Sequence, residues 1–300
     1  MIRIGTRNSP LAIWQANQVK VQLESLGHTC KLILQRTNGD QNPTLPIYAM
    51  GIQGVFTKTL DSALLDKKID IAVHSLKDVP TLMPKEVKLA ALLKRGSAHD
   101  VVVHHPDFKR WGSQDFIGSG SLRRKAQWLR KNPDHKIENL RGNLKTRLEK
   151  LNSSNWSGAI FASAGLERMG LLKNNHERLD WMIPAPAQGI IGITTLKQNK
   201  NINTMLKNIH CKETEICAEI ERSFLNTLEG GCTSPIGAHA SISDNTIRFE
   251  GGLFSPDGVS AIIHKKEIPT NEAKGYGIKA AQLMIEQGGK KIIKQIKSQL

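Results

Sequence analysis

Apolar positions near the start of the chain follow two periods. Ala12, Ala16, Val19, Leu23 and Leu26 recur at helical spacing behind Ser9-Pro10, a pair suited to an N-cap with proline in the first turn. Gly27 fits the end of that helix. Lys31–Gln35 reads as a strand, Phe56–Leu65 as a helix, and Ile69, Ile71 and Val73 alternate as a second strand. Strand, helix, strand is the grammar of a largely parallel sheet with covered faces.

The pattern restarts after the polar stretch Lys94–Asp100. Phe116-Ile117-Gly118 ends a strand and Ser121–Lys131 continues as a helix. Ile137–Leu140 and Ala159–Ala162 read as further strands around a helix at Asn143–Leu151. A boundary falls near the polar run Lys197–Asn203, and the order of elements then changes. A helix at Glu213–Leu228 precedes strands near Ala238–Ile242, Thr246–Leu253 and Val259–Ile263, and a helix near Glu272–Gln287 follows. This last third is α+β. The lysines at 290, 291, 294 and 297 read as a solvated helical face.

Length supports more than one domain, since 300 residues exceed the roughly 100–150 typical of one. No apolar run reaches the ~18 residues of a membrane span, and the opening Met1-Ile2-Arg3-Ile4 reads as a strand rather than a signal peptide. These features predict a cytoplasmic protein. Cys30, Cys211, Cys217 and Cys232 form no CxxC pair, so neither zinc nor a disulfide framework is expected. The net charge of +15 calls for an anionic partner. That partner is nucleic acid, an acidic membrane or a small polyanion, and aromatic residues are not interleaved with the basic runs, which argues against nucleic acid.

Three segments carry candidate chemistry. In Gly118-Ser119-Gly120-Ser121-Leu122-Arg123-Arg124 a strand turns through small residues into a helix, where backbone N–H groups and the helix dipole favour an anion. Arg123 and Arg124 add planar forks suited to carboxylates. The same residues equally fit an ordinary capped helix with surface arginines. Arg7, Arg141, Arg147, Arg168 and Arg222 also sit beside strand ends and helix starts, where open α/β sheets bind ligands. In Val73-His74-Ser75-Leu76-Lys77-Asp78-Val79-Pro80, a strand delivers an acid, a cation and a hydroxyl to one turn, the parts of a proton-transfer site. Asp78 also fits a plain turn cap before Pro80. In Glu229-Gly230-Gly231-Cys232, two glycines put a thiol on an accessible loop, a position for a reactive or modified cysteine. The adjacent His104-His105 with Asp107 lack ligand spacing and read as surface residues rather than a metal site.

Taken together, the segments resemble the porphobilinogen deaminase (hydroxymethylbilane synthase) family along nearly the whole chain. The resemblance runs through Thr6-Arg7-x-Ser9-Pro10-Leu11-Ala12-x-Trp14-Gln15-Ala16, Thr37-x-Gly39-Asp40, Phe56-x-Lys58, Ala72 to Pro80, Gly118 to Arg124 and Leu140-Arg141-Gly142-Asn143. It continues through Ala164-Gly165-Leu166-x-Arg168, Gln188-Gly189, Glu221-Arg222 and Leu228 to Cys232. It implies two α/β domains similar to a periplasmic binding protein flanking a cleft, plus a smaller α+β C-terminal domain. The implied bounds are 1–93 with 190–205, then 97–186, then 210–300.

It further implies a monomeric transferase that joins four porphobilinogen molecules head to tail with loss of ammonia, giving hydroxymethylbilane. Asp78 matches the catalytic acid, and Cys232 matches the thioether anchor of a dipyrromethane cofactor. Ser75, Lys77, Ser119, Ser121, Arg123, Arg124, Arg141 and Arg147 match cofactor-binding positions. Arg7, Ser9, Arg147, Arg168 and Arg222 match substrate-binding positions. No metal, membrane or nucleic-acid partner is implied. The rival reading is a non-catalytic anion-binding protein on the same scaffold. Several positions depart from the family pattern: Gln53, Thr59, Gly96 to His99, Gly120, Thr194, and Thr233-Ser234.

Overall fold

The computed structural model describes residues 1–35, 57–231 and 234–299. These form two compact units. The first holds 1–35, 57–96 and Gly189–Glu215, and the second holds 97–188 and the described residues after 215. The sequence separates 97–186 from 210–300; 97–186 and the described residues after 215 share the second unit, while 210–215 fall in the first.

In the first unit, β1 (Ile2–Arg7), β2 (Cys30–Gln35), β3 (Ile71–Ser75), β4 (Val87–Leu92) and β10 (Ile191–Leu196) form one sheet in the order β2-β1-β3-β10-β4. β1 runs parallel to β2 and β3, whereas β10 is antiparallel to both β3 and β4. The sheet is therefore mixed rather than largely parallel. The antiparallel strand arrives from far along the chain, where local pattern cannot announce it. Helix α1 (Pro10–Ser25) covers the sheet as its stripe requires, with Ala16, Val19 and Leu23 fully buried against Ile4, Ile71 and Val73. Helix α2 (Lys58–Leu65) buries Leu60 and Leu64 against Ile69 and Ala72.

The second unit repeats this topology. Its sheet comprises β5 (Asp100–His104), β6 (Phe116–Gly118), β7 (Lys136–Glu138), β8 (Gly158–Ala162) and β9 (His176–Arg178) in the order β7-β6-β8-β5-β9. Again three neighbouring strands are parallel, and one antiparallel strand, β5, separates the third from the edge. Helices α3 (Leu122–Lys131), α4 (Leu144–Asn152) and α5 (Ser163–Arg168) follow the three parallel strands. Each parallel strand thus delivers its carboxyl end to a helix start on one edge of the sheet.

Helix α6 (Lys200–Leu206) follows β10, and α7 (Lys212–Thr227) leads into the C-terminal part. There β11 (Ile236–Ser243), β12 (Thr246–Phe254) and β13 (Ala261–Pro269) make an antiparallel meander. Its core of Phe224, Phe249, Leu253 and Met284 is closed by α7, α8 (Tyr276–Met284) and α9 (Lys290–Gln299). In α9, Ile292 and Ile296 are buried, while Lys290, Lys291, Lys294 and Lys297 are exposed. Among the described residues, no helix is long and apolar enough to cross a membrane.

The histidine pair at 104–105 is not a surface feature. His104 is half-buried and stacks on Phe108 at 4.1 Å, and Trp111 packs against both rings. Phe108 and Trp111, several residues downstream, fold back over the end of β5.

Candidate functional site

On the first sheet, β1 and β3 end side by side. Ser9 caps α1 by accepting from the Ala12 amide at 3.4 Å, so its hydroxyl does structural work at the helix start. Arg7 is half-buried just before it. After β3 the chain makes a short 3-10 turn over Leu76–Asp78, pinned by the fully buried Leu76, whose amide donates to the Ile190 carbonyl. Lys77 and Asp78 are half-buried on that turn. Ser75 is committed inside the unit: its hydroxyl accepts from Gln15 Nε2 at 2.8 Å and donates to Gln15 Oε1 at 3.1 Å. Gln15 lies in the stretch that carries the family resemblance, although no role was expected of it.

His74 lies one residue earlier, buried, with Nε2 3.0 Å from Thr194 Oγ1. Burial, reinforced by the nearby Arg7 charge, pushes its imidazole down to about 4, so the ring is neutral near pH 7. Thr194, one of the departures from the family pattern, is therefore the hydrogen-bond partner of this histidine.

On the second sheet, the turn after β6 nests against the chain leaving β7. The Ser119 amide donates to the Glu138 carbonyl at 2.8 Å. A methyl group on Gly120 would lie 2.4 Å from the Leu140 carbonyl oxygen, so only glycine lets the two segments meet. Ser121 caps α3 and Asn143 caps α4, so two helix N-termini open on this edge. Arg141 sits between them, buried, beside Gly142 at φ +114°. Its Nε has no hydrogen-bond partner among the described residues. Burial lowers its affinity for the proton, and among the described residues no carboxylate opposes that effect. Arg147 donates from Nε to the Gly142 carbonyl at 2.7 Å, which holds the turn.

Arg123 and Arg124 differ from the sequence expectation. Both are buried and turn inward onto the fully buried Asp100 at the start of β5, each at 2.7 Å. Arg123 Nη1 also donates to the Ile183 carbonyl, and Arg124 Nη1 to the Ile160 carbonyl. Burial alone would raise the Asp100 carboxyl, but the two guanidinium groups hold it well below the ordinary carboxylate range. Gln188 Nε2 donates to Asp100 as well, at 2.9 Å. The forks thus brace α3 against β5 instead of projecting as free surface groups. An acid opening the apolar run Val101-Val102-Val103 was the available signal for this partner.

Arg168 ends α5, where burial lowers its proton affinity and the adjacent Glu167 opposes that shift. Arg222 on α7 is brought down to about 10 by burial. The preceding Glu221 is fully buried and accepts from the amides of Ala187 and Ala240 at 2.6 and 2.7 Å. Cys232, Gln53 and the segment at 36–56 lie outside the described residues. Cys30 and Cys217 are buried free thiols, and Cys211 is a half-buried one.

The first sheet's edge presents a half-buried carboxyl and lysine, and the second sheet's edge presents a buried guanidinium beside two capped helix starts. Residues 2–204 match the family profile described as porphobilinogen deaminase, dipyromethane cofactor binding domain, and residues 215–286 match the porphobilinogen deaminase C-terminal domain. The chain belongs to the porphobilinogen deaminase family. Relatives named porphobilinogen deaminase include that of Desulforamulus reducens, 38% identical with 99% of this chain and 98% of that protein covered. Another is from Syntrophobacter fumaroxidans, 37% identical with 99% and 98% covered. A third is from Campylobacter hominis, 38% identical with 98% and 97% covered. Among solved structures, a putative periplasmic sulfonate-binding protein from Methylobacillus flagellatus matches at a TM-score of 0.38 and 16% identity, covering 74% of this chain and 67% of its own, too remote to carry an argument.

Proposed function

We propose that this chain joins four porphobilinogen molecules head to tail, with loss of ammonia, and releases hydroxymethylbilane for tetrapyrrole synthesis. The observation that carries the site is Arg141: a buried guanidinium, with Nε unpartnered among the described residues, between two capped helix starts. A buried cation in such a place favours an anionic ligand group. Carboxylates of a dipyrromethane cofactor supply that group, so the residues fit it.

Ser119, Ser121, Arg141, Arg147 and Lys77 would hold those carboxylates. Ser75, Arg123 and Arg124 act one step behind, keeping the turns in place through Gln15 and Asp100. Attached through Cys232, the cofactor supplies the free pyrrole carbon from which the product grows. Asp78 donates a proton to the amine of porphobilinogen so that ammonia leaves. Its carboxylate then faces the cation that remains and receives the ring proton lost on coupling. Arg7, Ser9, Arg147, Arg168 and Arg222 take the acetate and propionate groups of arriving substrate. The net charge of +15 suits a site that gains two carboxylates with each addition.

Incubation with porphobilinogen, then oxidation, should yield uroporphyrin. Unchanged porphobilinogen would favour the anion-binding rival. Intact protein should exceed its sequence mass by two pyrrole units, and the excess should map to the peptide containing Cys232. An adduct on Cys30, Cys211 or Cys217 would sink the assignment. We further propose a cytoplasmic monomer, which light scattering on purified protein and cell fractionation test.

A further inference from the structure

Within the second unit, Ile183 stands between the C-terminal sheet and helix α3, beside the direct packing of Phe254 on Ala126 and the hydrogen bond from Arg130 to the Val259 carbonyl. Ile183 is buried, and its backbone is held from the helix side by three hydrogen bonds. Its amide donates to Gln127 Oε1 at 2.8 Å, and its carbonyl accepts from Gln127 Nε2 at 2.9 Å and from Arg123 Nη1 at 2.8 Å. From the sheet side, its side chain enters a notch. Gly237 of β11 and Gly252 of β12 are directly paired across the strands. A methyl group on Gly252 would lie 2.7 Å from Ile183 Cδ1, and one on Gly237 would lie 2.8 Å from Ile183 Cγ2 and from its carbonyl oxygen. Neither glycine has a positive φ, so close approach rather than backbone conformation accounts for both. The Ala238 amide then donates to the Pro184 carbonyl at 2.9 Å, locking β11 along the same segment.

We propose that Ile183, seated in the Gly237–Gly252 notch, is a positioning residue that fixes β11 against α3. This rests on the reading above, in which Cys232 carries the cofactor and the start of α3 belongs to the anion-binding edge. Cys232 stands four residues before Ile236, where β11 begins. The carbonyl that Arg123 grips belongs to the residue that plugs the sheet. A shift of β11 therefore displaces Ile236, the strand's first residue, relative to Ser119 and Ser121. Core packing transmits such a shift because close-packed side chains have no slack to absorb it.

The test is Gly237→Ala, with Ile183→Val as a milder variant that removes the atom facing Gly252. Ile247→Val, which thins the core of the same sheet away from the notch, serves as the control. Each is purified as expressed and read by intact mass, amide exchange at Ala238 and Ile183, and kcat and KM per adduct-bearing molecule. Gly237→Ala should speed exchange at both amides, lower the adduct-bearing fraction and reduce kcat by roughly 100-fold, the scale of a ~1 Å misplacement at a reacting centre. Ile183→Val should show a smaller change of the same kind, and Ile247→Val parental loading and kcat. Parental exchange, loading and kcat in a folded Gly237→Ala overturn the joint. If that variant does not fold, parental values in Ile183→Val overturn it instead. A parent without any adduct removes the reading of Cys232 and not the joint. In that case faster exchange in the glycine variant upholds the joint, and unchanged exchange overturns it.

Discussion

The two five-stranded sheets share one strand order and differ in what their edges hold. In each, three neighbouring strands are parallel, and one antiparallel strand intervenes before the edge. After the first strand of each trio, a serine caps a helix: Ser9 in one and Ser121 in the other. After the third strand the two diverge. The first sheet gives Lys77 and Asp78 on a short 3-10 turn, and the second gives Ser163 to Arg168 as a helix. The first edge offers a carboxyl. The second buries its cations and leaves the Nε of Arg141 without a partner among the described residues. The topology provides strand ends and backbone donors, and the side chains placed there decide the chemistry.

The sharpest way to break this contrast is to remove the acid. Asp78→Asn keeps size and hydrogen bonding but cannot deliver an acidic proton, so turnover should fall by about 10²–10⁴-fold. Asp78→Glu should retain more activity than Asn and less than the parent. Ammonia release at the parental rate from cofactor-loaded Asp78→Asn would transfer the role to another group.

Next in size is the second edge's internal brace. Arg124→Leu leaves Asp100 with one guanidinium fewer in a fully buried place, and breaking such a set costs about 3–5 kcal/mol. Urea unfolding should show that loss before any ligand is added. A midpoint equal to the parent's would mean that Asp100 does not depend on the pair, and would restore the surface-fork expectation.

The first sheet has its own buried titratable group. The folded state holds His74 down at about 4, while the unfolded chain protonates near 6.5. Over that window the unfolded state binds more protons, so stability falls as pH drops. The predicted loss between pH 6.5 and 4 is about 3 kcal/mol, and it should vanish in His74→Gln. An identical pH slope in the two proteins would contradict it.

The smallest effect separates Arg141 from Arg124. Replacing a buried cation that lacks a carboxylate with an apolar side chain of similar length is neutral or stabilising. Arg141→Met should therefore match or exceed the parent's stability by about 1 kcal/mol when both lack cofactor, while its adduct-bearing fraction drops. A large destabilisation would show that Arg141 already has an internal partner.

Much of this was legible in the sequence because it is local. Ser9, Ser121 and Asn143 sit directly before the periodic apolar runs they cap, and the loop glycines and apolar stripes locate the main helices within a few residues. The strands at Val87–Leu92, Asp100–His104 and His176–Arg178 escaped notice because their pairing partners are distant. The same distance hid the partners that lock the site residues. Gln15 and Ser75 are 60 positions apart, and Asp100 and Arg124 are 24 apart. Candidate residues could be named from the motifs, but which guanidinium groups turn inward depends on a carboxylate that only the folded sheet brings to them.

Strand β10 also has a consequence for how the protein is made. It lies between β3 and β4, and β4 has no other strand neighbour among the described residues, yet it is separated from both by the whole second α/β sheet. A chain emerging from the ribosome therefore completes β1 to β9 before the strand that closes its first sheet exists. Until then β3 carries an open apolar edge, and β4 has nothing to pair with. Long-range pairing of this kind slows folding and leaves strand edges available to other chains. The first unit is begun first and finished late, and the second can fold its own sheet during that wait.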